Sequence, residues 1–521
     1  MEKMKICWVL FSIMLAIGDA SKILVVYPFP SRSHANLGDG IVRNMLKAGH
    51  EVTYITPFEY KNAPPTLRQI DVSNLIDLMP KDLLTIKALM DGNNISLNIA
   101  FMTYMVTEIF KGTILNENVQ KILNDPNEKF DLVIAEWMMS EIPAGIGAVY
   151  DCPFIWISSV EIHWILLRFI DQAPNPAFTV DTMTTYTPPL NFVQRAIELW
   201  NQVKLTVLNY VILDRIQDNV YSTHIAPIVE KRGRKAPTLD ELRYNVSMIF
   251  SNAYVDTSSA LSLPQNHKYI GGYHIDEKVK PLPEDLQKLM DGAKNGVIYF
   301  SMGSNLKSAD MPDELKASLV EMFGSLPYTV LWKFEEVLPN LPSNIHILKW
   351  APQQSILAHP NLRVFITHGG LLSTTETVHF GVPIIGIPVF ADQFINVHRA
   401  EIRGFAKRVD LSYTMAGELK KAILEVVTDK RYAEKAKELS VIHHDRPVKP
   451  GDELIHWVNH VIRTRGARHL RSPALGVPFY QKMFLDLAVV LTIVLTLAYI
   501  LLKRAWRYFR SGKSKSSKKN N

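Results

Sequence analysis

The chain has 521 residues, of which 47% are apolar and 21% charged; that is enough to bury two or more sizeable cores and excludes wholesale disorder. Its two cysteines, Cys7 and Cys152, exclude a disulfide framework and a cysteine-rich metal site. The net charge of +6 belongs to a tail: Lys503 to Asn521 holds eight basic residues and no acid, so residues 1–502 carry −2 and a general nucleic-acid surface is not supported.

The start reads as an address. Lys3 and Lys5 precede an apolar run from Ile6 to Ile17, and Gly18-Asp19-Ala20 offers small residues for cleavage, the pattern of a secretory signal over 1–20. Removal of that segment would take Cys7 and leave Cys152 as a lone thiol. Asn94-Ile95-Ser96 and Asn245-Val246-Ser247 are sequons for N-glycosylation.

Lys22–Tyr27 is a continuous apolar, β-rich run, the pattern of a strand covered on both faces. A helix is predicted from about Asn36 to Ala48, stopped by Gly49. Strands are predicted at Glu51–Ile55, Asp131–Ala135 and Phe154–Ile157, with helical patterns between them. Thr56–Asp125 and Val160–Thr223 are less regular and rich in Met, Phe, Trp and Leu, which reads either as ordinary core or as a pocket for apolar small molecules. Pro264, Gly271, Gly272, Pro281 and Pro283 mark a linker over 264–283. The alternation then restarts, with strands predicted at Gly296–Phe300, Tyr328–Trp332, Ile345–Leu348, Val364–Thr367 and Pro383–Ile387, and a helix at Asp313–Phe323. The fold class is α/β: two Rossmann-like, doubly wound domains, 21–263 and 284–445, facing each other across a cleft, with ligands at the carboxyl ends of the strands.

Residues Trp350 to Gln393 concentrate the chemistry. Val364–Thr367 leads into the turn His368-Gly369-Gly370 and a helix containing Ser373 and Glu376. A strand, a glycine turn and a helix N-terminus make an anion site, because free N–H groups and the dipole favour negative charge. His368 and Ser373 add donors, and Glu376 suits sugar hydroxyls. Trp350 offers a face for stacking a base and Gln353 an amide for a base or ribose edge. Asp392-Gln393 supplies acceptors and donors for a polyol.

This stretch, with Pro352, Pro383 and Pro388 also in place, resembles the signature of the UDP-glycosyltransferases, most closely the membrane-bound insect enzymes. The resemblance covers the whole chain and implies a two-domain glycosyltransferase fold of the GT-B type. It implies a UDP-sugar donor, UDP-glucose in preference to UDP-glucuronate, and a small lipophilic hydroxyl acceptor of the kind met in detoxification. Leu372 departs from the Asn of many members. Phe300-Ser301-Met302-Gly303-Ser304 resembles the first phosphate-side loop of the donor domain, with Ser304 as a contact. The segment 446–482 resembles the family's return to the first domain and its pre-membrane stretch.

Within the resemblance, His34 is the general base, at the carboxyl edge of the first strand; a structural or helix-capping histidine is the competing reading. The family's orienting Asp falls on Glu136, one methylene longer. Asp131, at the other end of the same strand, is the rival acid. The chain has no Asp-x-Asp and no His/Cys metal cluster, which implies that the pyrophosphate is held by protein donors without a required metal or cofactor. A single displacement with inversion follows. A donor-binding scaffold without turnover and a transferase of lipid or glycan assembly are the alternatives.

Met483–Leu502 is apolar apart from Asp486 and at 1.5 Å per residue spans roughly the 30 Å hydrocarbon core. The basic tail 503–521 puts that side in the cytosol and makes the protein single-pass type I, with a luminal body. Lys518-Lys519 resembles a dilysine retrieval signal of the endoplasmic reticulum. A homo-oligomer is left open.

Overall fold

The computed structural model describes residues 20–80, 85–92, 99–170, 175–181, 184–254, 256 and 261–517. The signal sequence up to residue 19, the Asn94 sequon and Lys518-Lys519 lie outside them. Residues up to Leu470 form one compact unit and those from Arg471 another.

The first unit holds two parallel sheets. β1 (Lys22–Val26), β2 (Glu51–Thr56), β3 (Leu67–Asp71), β4 (Leu132–Trp137), β5 (Phe154–Ser158), β6 (Met248–Ser251) and β7 (His267–Tyr269) pair in the order β3-β2-β1-β4-β5-β6-β7. β8 (Val297–Ser301), β9 (Thr329–Lys333), β10 (Ile345–Leu348), β11 (Leu362–Thr367), β12 (Ile384–Gly386) and β13 (Ala406–Arg408) pair as β10-β9-β8-β11-β12-β13. Each order reverses once, between β1 and β4 and between β8 and β11, and that reversal opens a crevice at the strands' carboxyl ends.

The helices that matter here are α1 (Arg32–Lys47), α2 (Ile99–Leu115), α3 (Phe192–Leu208), α4 (Asp214–His224), α5 (Gln353–Leu357), α6 (Leu371–Phe380), α7 (Gln393–Ile402), α8 (Lys430–His444) and α9 (Pro450–Arg463). A π-turn, Asn209–Leu213, joins α3 to α4.

Continuous apolar runs work because both faces of each sheet are covered. In β1, Leu24 and Val26 enter one core while Ile23 and Val25 enter another on the opposite face. In β8, Ile298 and Phe300 face one core and Val297 and Tyr299 the other. α9 crosses back to the first domain: Leu454, Val458 and Val461 are fully buried beside Ile41, Val42 and Met45 of α1.

Three expectations change. α1 begins at Arg32 rather than near Asn36, because Ser31 has the extended backbone of an N-cap, φ −131° and ψ 133°. Part of the expected linker is a strand: β7 lies within 264–283 and forms the edge of the first sheet. The irregular segment after β2 is largely core, since Val106, Ile109, Phe110 and Ile114 of α2 pack in the first domain while Ile86 is buried in the core of the second.

In the second unit, one helix, α10 (Leu485–Ser517), contains a candidate membrane span, Leu485–Arg510, whose most apolar 18-residue window has mean hydropathy 2.5. It runs past the expected end at Leu502, because the Lys and Arg residues that follow are good helix formers.

Burial holds several histidines neutral. His267 and His379 are pushed down to about 3 and His368 to about 4, burial being the first cause in each. In the unfolded chain these rings take up protons near pH 6.5, but the folded protein does not protonate them until pH 3–4. The unfolded state therefore holds more protons across that window, and these groups cost stability as pH falls from about 6.5 towards 4. Thermal unfolding at pH 7.5 and at pH 5 should show a lower midpoint at pH 5, and His267→Gln should flatten the fall. An unchanged slope in the variant would contradict this account.

Candidate active site

The two crevices share one cleft. β1 ends at Val26, and Phe29, Ser31 and the first turn of α1 follow, so His34 lies beside the carboxyl edge of the sheet. Val26 pairs with Ala135 of β4, which places Glu136 one residue further along, at the same edge. The His34 Nδ1 and Glu136 Oε1 are hydrogen-bonded. With an ionised carboxylate, which only accepts, and a neutral ring, Nδ1 would carry the proton and Nε2 would keep its lone pair. The His34 side chain is 15% exposed and Glu136 fully buried. Asp131 is used elsewhere: its Oδ2 accepts from the Lys22 N–H at 2.8 Å, at the opposite end of the sheet.

Three contacts around this pair are invisible in the sequence. The Ser159 hydroxyl donates to the same Glu136 Oε1, and Asn252 Nδ2 holds the Ser159 carbonyl at 3.2 Å. Ser31 leaves its capping role, and its hydroxyl donates across the cleft to Asn305 Oδ1 at 2.7 Å.

On the facing sheet, β8 and β11 each end in a glycine turn. Gly303 (φ +86°) and Gly369 (φ +81°) occupy the left-handed region. The His368 ring lies between glycines: a Cβ at position 303 would fall 2.5 Å from its Cε1 and one at position 370 would fall 2.6 Å from its Nε2. Lys333 adds to the burial that keeps this ring neutral. Gly370 is the N-cap of α6 and provides no side-chain cap, so the first N–H groups of α6 are left for a ligand.

Gln353, Ser373 and Glu376 form one network. Gln353 Nε2 donates to Ser373 Oγ at 3.1 Å and to Glu376 Oε2 at 2.6 Å, and Gln354 donates to Glu376 Oε1 at 3.0 Å. Trp350 stands apart on the loop after β10, 60% exposed, with its ring open to stacking.

The comparisons settle the family. The family model described as UDP-glucoronosyl and UDP-glucosyl transferase matches residues 22–519. The chain belongs to this family. It is 32% identical over 523 residues to UDP-glucosyltransferase 2 of Dactylopius coccus, covering 98% of each chain. It is 31% identical to UDP-glucuronosyltransferase 2C1 of Oryctolagus cuniculus, over 73% of this chain and 74% of that one. The crystal structure of the calicheamicin glycosyltransferase CalG4 superposes with a TM-score of 0.53 at 14% identity, covering 85% of this chain and 99% of that one. That likeness shows the GT-B fold. Family membership carries the general activity, glycosyl transfer from a UDP-sugar.

The residues assigned to the sugar from sequence differ in how they are placed. Asp392 occupies the N-cap position of α7 without a side-chain capping bond, and its carboxyl is raised by burial, opposed by the hydrogen bond from Asn396 and by nearby His34. Asn396 Nδ2 donates both to Asp392 Oδ2 at 2.9 Å and to the Gly369 carbonyl at 3.1 Å, which fixes the acid to the glycine turn. Its position four residues after Asp392 on a helix was the available signal. Gln393 instead shapes the loop, its Oε1 accepting from the Val389 and Phe390 N–H groups at 2.9 and 3.2 Å. Ser304 follows Gly303 in the turn that meets Ser31 through Asn305.

Gly303→Ala should displace His368, because position 303 combines a positive φ with a clash against the ring. UDP affinity, measured by calorimetry, should fall about tenfold or more, ~1.4 kcal/mol, with the thermal midpoint as the folding control. Unchanged affinity would show that the ring and turn do not shape the donor site.

Proposed function

We propose that the protein transfers glucose from UDP-glucose to a hydroxyl of a small lipophilic acceptor, with inversion at the anomeric carbon. The observation that supports this reading is the bond between His34 Nδ1 and Glu136 at the carboxyl edge of the first sheet, which leaves Nε2 available to act as a base. His34 takes the acceptor proton as the acceptor oxygen attacks the sugar. Glu136 positions the ring and stabilises the imidazolium that forms. The leaving UDP is met by the N–H groups at the start of α6 and the two glycine turns, and this arrangement asks for no metal ion.

The donor assignments follow the cleft: Trp350 stacks on the base, Gln353 and Glu376 serve the base and ribose edge, and His368, Gly370, Ser373 and Ser304 take the diphosphate side. Asp392, with Gln393 holding its loop, takes the sugar. An acid there suits a neutral hydroxyl better than a glucuronate carboxylate. The relative that is 32% identical over nearly the whole chain bears the name of a glucosyltransferase, which favours the same sugar. Phe29 packs against the His34 ring, and Trp137, Met138 and Met139, which follow Glu136 in the chain, belong to or pack on the same apolar cluster as Phe29; that adaptable cluster is the lining proposed for the acceptor.

The reading extends to location: a luminal body anchored by Leu485–Arg510 in the endoplasmic reticulum membrane, basic tail in the cytosol, and Asn245 exposed for glycosylation.

His34→Ala should lower turnover by roughly 10²–10⁴-fold while UDP affinity stays unchanged. Equal loss of UDP binding would make His34 structural, and unchanged turnover would remove it from the chemistry. With a pool of phenols, UDP-glucose should give β-glucosides faster than UDP-glucuronate gives glucuronides. The reverse order would overturn the sugar assignment, and no product from any donor would favour a binding protein without turnover.

A further inference from the structure

α3 is built inside out. Its buried residues include Glu198 and Gln202, while the face turned outward carries Phe192, Leu199, Trp200, Val203, Val207 and, in the following π-turn, Tyr210. Those six are between 45% (Val203) and 75% (Phe192 and Tyr210) exposed. At 100° per residue they fall on one stripe, and the buried Glu198, Gln202 and Leu205 fall on the opposite side. A helix of a water-soluble surface has the reverse arrangement.

On the inner face the Glu198 carboxylate has its donors, while Gln202 Nε2 is buried without a hydrogen-bond partner among the described residues. Glu198 accepts from the Asp181 N–H and the Thr184 hydroxyl, both at 3.0 Å, and so pins the loop that leads into the helix. In α4, Gln217 accepts from the Glu141 N–H at 2.7 Å and the Ser140 hydroxyl at 3.1 Å. Rotating α3 to hide its apolar stripe would strip the buried Glu198 carboxylate of both donors, so the helix is held with that stripe outward. A contiguous apolar stripe of this size marks an interaction surface.

The charges along the stripe select the occupant. Over 191–215 the exposed ionic side chains are Arg195, Lys204 and Arg215, whereas Glu198 is buried and Asp214 is paired with Arg243 at 2.8 Å. Apolar and aromatic residues flanked only by basic groups suit the boundary between acyl chains and anionic headgroups, where Trp200 and Tyr210 can keep their polar atoms wet. A bilayer is also never far away. Residues 471–484 are the whole covalent link from the body to the apolar helix α10, which at ~3.5 Å per residue limits the separation to about 50 Å. A surface tethered so closely meets the bilayer at high effective concentration.

We propose that the outer face of α3 and the following π-turn lies in the lipid–water interface, as a second contact with the membrane that carries α10. This rests on reading Leu485–Arg510 as a membrane span, and the test separates the two. In the full chain with Cys7 and Cys152 replaced by Ser, single cysteines are placed at Val203, Val207, Asn219 and Leu491 and given a nitroxide label. The proteins are reconstituted in vesicles of phosphatidylcholine and phosphatidylglycerol, with the thermal midpoint as the folding check. Collisions with oxygen and with a polar nickel chelate are then measured by electron paramagnetic resonance. Labels at Val203 and Val207 should meet oxygen several-fold more than the chelate, as should Leu491, while Asn219 shows the opposite. Chelate contact at Val203 and Val207 equal to that at Asn219, with Leu491 in lipid, would overturn the second contact alone. Chelate contact at Leu491 as well would overturn the span. Exclusion of both reagents at Val203 and Val207, with dipolar broadening between labels, would make the stripe an interface between copies of the chain instead.

Discussion

A buried carboxylate must be given donors, and Glu136 organises the cleft around that requirement. Fully enclosed at the end of β4, it would be costly to keep ionised without partners. The donors come from two other strand ends: His34 from the turn after β1 and Ser159 from the turn after β5. Their meeting depends on the parallel register of β1, β4 and β5, in which Val26 faces Ala135 and Glu136 faces Ile157. A slip of one residue in β4 would turn Glu136 to the other face of the sheet and end the arrangement.

The second sheet meets this pair through contacts that span the cleft. Arg399 of α7 is paired with Glu161 at 2.5 Å, and Ser31 reaches Asn305. Leu372, at the start of α6, packs against the first domain's core beside Tyr60 and Ile455. The residue that departs from Asn at this position thus contributes an apolar contact between the domains. α9 completes the frame by returning the chain to α1, so His34 and the two glycine turns belong to one compact unit.

The parts legible in the sequence were those whose signal is local. β1, β4, β5, β8 and β11 were visible as uninterrupted apolar runs, and the two glycine turns were visible from their spacing to the strands before them. β3 (LRQID), β7 (HKY) and β13 (AKR) were not, because edge strands are short and carry polar residues where only one neighbour pairs with them. Glu136 could be preferred over Asp131 from its place at the strand's end. Ser159 and Asn252 could not be found, since their roles exist only when separate strand ends meet; for Asn396 the i,i+4 spacing from Asp392 was the one local signal. Glu376 and Gln353 were recognisable as polar residues near a donor site, but their bonds to each other and to Gln354 depend on how α5 packs on α6. The outward stripe of α3 was equally hidden, because its apolar spacing matches that of an ordinary core helix and only the buried Glu198 shows which way it faces.

The central claim is that His34, held through Nδ1 by Glu136, presents a free Nε2 to the acceptor while the donor lies against the second sheet. The most direct measurement is a structure of the protein with an inert UDP-glucose analogue and a phenol bound together. The account places the phenol oxygen about 2.6–3.2 Å from His34 Nε2, with the Nδ1 bond to Glu136 intact and the diphosphate at the start of α6. A phenol oxygen out of reach of Nε2, or a diphosphate bound to His34 itself, would contradict it.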